Sequence, residues 1–138
     1  MNAATITPDS FYRSLFEKMP IVGYAVDTEW KLVAATDRLL DEIHRSRDHI
    51  VGQNVFDVFP DNPADPSADG TRVLRESLQR AFDTGHSEKL PRQRYDAPPA
   101  EAGGEFRECY WLPENVPVLD DDGSVRYVIH TVIPAPPQ

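Results

Sequence analysis

At 138 residues, with 14 Lys plus Arg against 23 Asp plus Glu and a formal net charge of −9, the chain has the length of one domain around a single core. Its charge repels nucleic-acid phosphates and anionic lipid heads, so no nucleic-acid partner is expected. A single cysteine, Cys109, allows no internal disulfide, and with no basic-then-apolar leader and no apolar run of about 18 residues the expectation is a soluble, cytoplasmic protein without a membrane span.

Thirteen prolines punctuate the chain, most of them between predicted elements. Thr7-Pro8 supplies a hydroxyl cap and a proline at the first helical position, and Phe11, Leu15, Phe16 and Met19 follow at helical spacing until Pro20. This amphipathic segment, residues 1–20, lies outside the sheet pattern. It either caps its own domain or pairs with a second copy through Phe11, Leu15 and Met19. Residues 21–27 (IVGYAVD) and 31–36 (KLVAAT) read as two strands joined by Thr28-Glu29-Trp30, a hairpin. Gly23, Ala25, Ala34 and Ala35 leave room above the sheet for something to pack or bind.

Thr36 or Asp37 caps a short helix carrying Leu39, Leu40 and Ile43, closed by His44 and a basic run. Residues 50–63 (IVGQNVFDVFPDNP) concentrate apolar mass in Val51, Val55, Phe56, Val58 and Phe59, with Gly52 permitting a sharp entry and Pro60, Pro63 and Pro66 forbidding helix beyond. Asp69 or Thr71 then caps a longer helix with Leu74, Leu78, Ala81 and Phe82 on one stripe and Gly85 just past its end. Strands over 90–95, 106–118 and 125–133 follow, the last two joined by the Asp120-Asp121-Asp122-Gly123 turn. The expected fold class is α+β, a five-stranded, mainly antiparallel sheet with helices over one face. The expected domain covers residues 21–133, followed by a proline-rich tail over 134–138.

The central IVGQNVFDVFPDNP string, the RYD of residues 94–96, the YWLPENVPV of residues 110–118, the first hairpin and the closing DDGSVRYVIH hairpin together resemble the PAS sensor domains of bacterial signalling proteins. The resemblance runs from about Phe11 to Ile133 and is nearest to the N-terminal PAS modules of bacterial sensor histidine kinases. It implies a five-stranded antiparallel sheet with helices over one face, enclosing a small cavity. It also implies two-component signalling by ligand binding, homodimerisation or both, with a histidine kinase or other signalling domain as partner. Where such domains run on into a signalling helix, Ile133 here leads into Pro134-Ala135-Pro136-Pro137-Gln138, which fits either a piece of a longer protein or a stand-alone module.

The resemblance leaves the cofactor open. Light-sensing relatives carry a cysteine motif beside the central helix, and the matching residues 53–58 (QNVFDV) have none, so covalent flavin chemistry is not expected. Haem is not expected either, because the helix after Thr71 holds no histidine; His86 just beyond it reads as a charge at the helix's negative end, and Cys109 as a packed strand residue. His44 and His49 read as solvated, His130 as a hydrogen-bonded core or interface histidine. The aspartates at 61, 65, 69 and 120–122 lack the spacing of a calcium loop and read as turns and caps. Residues expected to meet a ligand are Phe56, Phe59, Leu74 and Leu78 as apolar walls, beside Val55 and Phe82, with Arg94, Tyr95, Tyr110, Trp111 and Asn115 as the polar set. Arg94 beside Tyr95 suits an anion. No catalytic motif is visible. The leading expectation is a non-enzymatic sensory module, with a small cavity enzyme of isomerase or dehydratase type, or a ligand-free dimerisation module, as the alternatives.

Overall fold

The computed structural model describes residues 8–99, 101 and 103–135; Thr7 as a cap and residues 136–138 of the tail lie outside them. Helix α1 (Pro8–Glu17) leads into β1 (Val22–Asp27) and β2 (Leu32–Ala35), then α2 (Asp37–Ile43), α3 (Arg47–Ile50), α4 (Val55–Val58) and the long α5 (Gly70–Thr84). Four strands close the chain: β3 (Glu88–Lys89), β4 (Gln93–Arg94), β5 (Tyr110–Leu119) and β6 (Val125–Pro134). Every pairing is antiparallel, in the order β2-β1-β6-β5, with β3 and β4 both laid along the far side of β5. The expected α+β sheet is therefore present with five positions across and six strands. Its last position, foreseen as one strand over 90–95, is split into two short pieces. Pro91 has no N–H to give a ladder there, and Leu90 N–H instead donates to Pro113 O at 2.9 Å.

The central string sits beside β2. Leu32 N–H donates to Gln53 O and Gly52 N–H returns to Leu32 O, at 2.9 and 2.7 Å, and Val55 N–H donates to Trp30 O at 2.8 Å. Asn54 caps α4 by accepting from Phe56 N–H at 2.8 Å. Leu74, Leu78 and Ala81 of α5 bury their stripe with Ile50, Val55 and Val58 against Val26, Leu32 and Val128 of the sheet. The helix ends as the sequence indicates, on Gly85 in the left-handed region at φ 68°. Its start differs. Asp69 occupies the cap position without a side-chain cap bond, and Asp61, from the central string, accepts from Thr71 N–H and Thr71 Oγ1 at 3.0 and 2.7 Å.

Thr36 joins β2 to α2 and is wholly buried. Its Oγ1 donates to Ile21 O at 2.7 Å and accepts from Gly23 N–H at 3.1 Å and Leu39 N–H at 3.2 Å. One hydroxyl thus caps a helix and fixes the start of the first strand. Thr36→Val keeps the shape and strands two N–H groups in the interior, so it is expected to lower unfolding free energy by about 2 kcal/mol in urea titration, while Thr36→Ser changes it little. An unaltered midpoint for the valine variant contradicts this role.

Candidate functional site

The strand register decides which side chains face the helices. Tyr24 lies opposite His130 across β1 and β6, and His130 opposite Asn115 across β6 and β5, so the three share one face in one row. All three are buried, with Tyr24 at 5% and His130 at 8% exposure. The Tyr24 ring stacks on Phe59 with centroids 5.4 Å apart and leans on His130 at 5.1 Å. Above this row lies a cavity of about 70 Å³, walled by Val22, Tyr24, His130 and Val132 of the sheet, Leu39 and Ile43 of α2, Leu74 of α5, and Phe59, Tyr95 and Trp111. Drug-sized ligands occupy pockets of roughly 300–1,000 Å³, and a water takes about 30 Å³. The void therefore suits a few waters or a molecule of a few heavy atoms.

A chain of hydrogen bonds runs away from the cavity toward α5. Ser77 Oγ donates to Leu74 O at 2.9 Å, Asn115 Nδ2 donates to Ser77 Oγ at 3.0 Å, and His130 Nδ1 meets Asn115 Oδ1 at 2.6 Å. Its direction is set at one end, because a backbone carbonyl can only accept. Ser77 must donate, Asn115 must present its oxygen to the ring, and His130 must carry its proton on Nδ1, leaving Nε2 as an acceptor. Burial holds the His130 pKa down, from 6.5 to about 4.

The rim beside the cavity is held by Asp96, which is buried and also borders the void. Burial works against its carboxylate, but Arg94 Nε and Nη2 at 3.0 Å each, Asn62 Nδ2 at 2.9 Å and Cys109 N–H at 3.3 Å outweigh this and lower its pKa. One carboxylate so joins the central string, β4 and the approach to β5. Beside it, Tyr95 Oη donates to Phe59 O, Trp111 Nε1 donates to Tyr95 O at 2.9 Å, and a Cβ on Gly70 would come within 2.8 Å of the Tyr95 ring. The close start of α5 fixes the ring against the cavity.

Of the residues expected to meet a ligand, Phe59, Leu74, Tyr95 and Trp111 line the cavity and the other seven do not. Leu78 is wholly buried in the core. Phe56 packs on Trp30 beneath Arg75, whose Cζ is 4.1 Å from the ring centroid. Arg94 closes on Asp96, with Asp65 and Glu108 nearby at 3.7 and 3.9 Å. Tyr110 donates to Glu108 at 2.6 Å with Arg92 over its ring, and Asn115 stands one bond behind the wall. Val55 and Phe82 belong to the core and its margin. Phe11, Leu15 and Met19 are exposed at 49, 51 and 45%. Tyr24, Leu39 and Asp96 line the cavity without having been singled out. For Tyr24 the signal was available, since Val22, Tyr24 and Val26 alternate inward.

A flavin ring system or a haem belongs to the larger ligand class and does not fit the 70 Å³ void as it stands. Among the described residues no group of His, Cys, Asp and Glu is placed to hold a metal ion.

The chain has the PAS fold. It superposes on the sensory box sensor histidine kinase of Vibrio cholerae over 93% of its own length and 91% of that chain, with a TM-score of 0.62 at 15% identity. The PAS domain of a Colwellia psychrerythraea protein matches 94% of this chain and 98% of its own, with a TM-score of 0.66 at 11% identity. That of BvgS from Bordetella pertussis matches 93% and 86%, with a TM-score of 0.62 at 21% identity. No family model and no curated protein sequence matches the chain. No described helix is long and apolar enough to cross a membrane.

Because folding lowers the His130 pKa from 6.5 to about 4, the unfolded chain takes up this proton first. The stabilisation is complete above about pH 6.5 and is lost as the pH falls toward 4, by roughly 3 kcal/mol in all. In an NMR titration the His130 ring is expected to stay neutral with Nδ1 protonated down to pH 5.5; a midpoint near 6.5 contradicts the assignment.

Proposed function

We propose that the chain is a sensory PAS module that takes a small molecule into the cavity and conveys its presence to a signalling partner. The setting is a bacterial two-component system, with a histidine kinase as the partner class, in the cytoplasm. The observation that carries this reading is the composition of the cavity wall, which draws on β1, β5, β6, α2, α5 and the central string at once. An occupant touches each of them, and one that prefers a particular arrangement shifts the population toward it by no more than its differential affinity. The names of the superposing proteins, a sensor histidine kinase among them, agree with a sensing role. Sensing is favoured over catalysis by the state of Asp96, whose carboxylate is engaged by Arg94, Asn62 and Cys109 and lowered in pKa; a general base needs a raised one.

A second copy of the chain is the other partner in this reading, through the exposed Phe11, Leu15 and Met19 of the N-terminal segment. The base of that segment is anchored, since Arg47 Nε meets Glu17 at 3.2 Å and Lys18 Nζ meets Asp37 at 2.6 Å, so movement in α2 reaches α1.

Two measurements test the proposal. Native mass spectra of freshly purified protein should show added mass that disappears on denaturation, or small-molecule binding that raises the melting temperature. At a hundred times Kd the gain is about 2.7 kcal/mol, on the order of 10 °C for a chain of this size. A protein that neither carries nor takes up any small molecule argues against sensing in the cavity. For the pairing, Leu15→Glu is expected to convert dimers to monomers at micromolar concentration by light scattering, and an unaffected mass places the contact elsewhere.

A further inference from the structure

Two side chains of the cavity wall, each more than nine-tenths buried, carry a polar atom that bonds to no described residue. The Tyr24 hydroxyl makes no hydrogen bond to a described residue, although the side chain is 95% buried and borders the void. The His130 ring uses Nδ1 on Asn115, and its Nε2 has no partner among the described residues. An occupant able to bond both atoms gains two hydrogen bonds in a largely apolar surrounding, where such bonds discriminate most between ligands. The two ring centroids lie 5.1 Å apart, so one small molecule in the void is near both side chains. The hydroxyl has a proton to give. The imidazole, with its tautomer set by the Ser77–Asn115 chain, has a lone pair to offer.

Charge narrows the class further. No Lys or Arg is among the residues that border the void, whereas Asp96 and Glu42 are. Arg94 is folded onto Asp96, and Arg107 onto Glu42 at 2.6 Å. Both carboxylates are thereby engaged, and an anion brought in would meet negative groups with no free cation to offset them. The arginine that suggests an anionic ligand in the sequence is committed elsewhere.

We propose that the cavity selects a small, neutral molecule presenting an acceptor and an adjacent donor, a primary amide being the simplest form, with Tyr24 Oη donating to its oxygen and its N–H donating to His130 Nε2. This rests on the cavity-sensing reading above and specifies the ligand class for it. The remaining wall, Val22, Leu39, Ile43 and Val132, is apolar and limits the substituent to a short alkyl group.

Methyl NMR with three probes tests this: propionamide, propionate at pH 7 and dissolved xenon. Propionamide is expected to shift the Leu39, Ile43 and Val132 methyl signals saturably in the millimolar range, with propionate at least tenfold weaker. Tyr24→Phe keeps the ring on Phe59 and removes the unpaired hydroxyl. It is expected to weaken propionamide at least tenfold while leaving the melting temperature of the free protein unchanged or higher, an outcome a hydroxyl with a structural role would not give. Propionate binding as tightly as propionamide, or Tyr24→Phe binding propionamide undiminished, overturns the assignment. Xenon separates the two levels of the argument. Xenon shifts at these methyls without any from propionamide overturn the ligand class and leave the cavity standing; silence from both removes the cavity reading as well.

Discussion

The Asn115 amide ties the sheet to the helix that covers it, and most of the site depends on that tie. It lies in the middle of β5, wholly buried, with one end bonded to Ser77 of α5 and the other to His130 of β6. A buried amide without partners would cost more than the bonds contribute, so the three elements are held in one relative placement. The same bonds orient the imidazole, and through it the edge against which Tyr24 leans. A sheet held to its helix by apolar packing alone would fix the distance between them but not the face that each ring presents.

Asp96 does comparable work at the rim. Its bonds to Arg94, Asn62 and the Cys109 N–H gather three segments that are far apart in sequence. Asp61, from the same string as Asn62, caps α5 through Thr71. The proline-punctuated loop is therefore held at both ends by carboxylate chemistry, and its prolines restrict the alternatives it would otherwise sample. Charge in this acidic chain is spent on positioning as much as on solubility.

Much of this was legible from residue order. The 3.6 periodicity of Leu74, Leu78 and Ala81, the glycine after it, the hydroxyl at Thr36 and the Asp-Gly turn before β6 each follow from local rules, and the structure places them accordingly. Two features fell outside such rules. The α5 cap comes from Asp61, about ten residues upstream, beyond the reach of any pattern centred on the helix start. The strand foreseen over 90–95 breaks because its pairing with β5 must pass Pro91, and cross-strand partners are not written in a single strand. Arg94 is a different case. Its neighbour two positions along, Asp96, shares its side of the strand by simple alternation, so the pairing that removes Arg94 from the cavity was present in the sequence but overshadowed by the tyrosine beside it.

The two borders of the sheet differ in a way that bears on how the molecule keeps company at high concentration. Along β2 the open backbone is taken up by the central string. Along β5 it is met by two dipeptide strands with a proline between them, a border too short and interrupted to template another chain. Strand addition, the usual hazard of an antiparallel sheet, is thus hindered along the paired stretches of both borders. What the sheet leaves for contact between copies is its faces and the helices rather than its hydrogen-bonding borders.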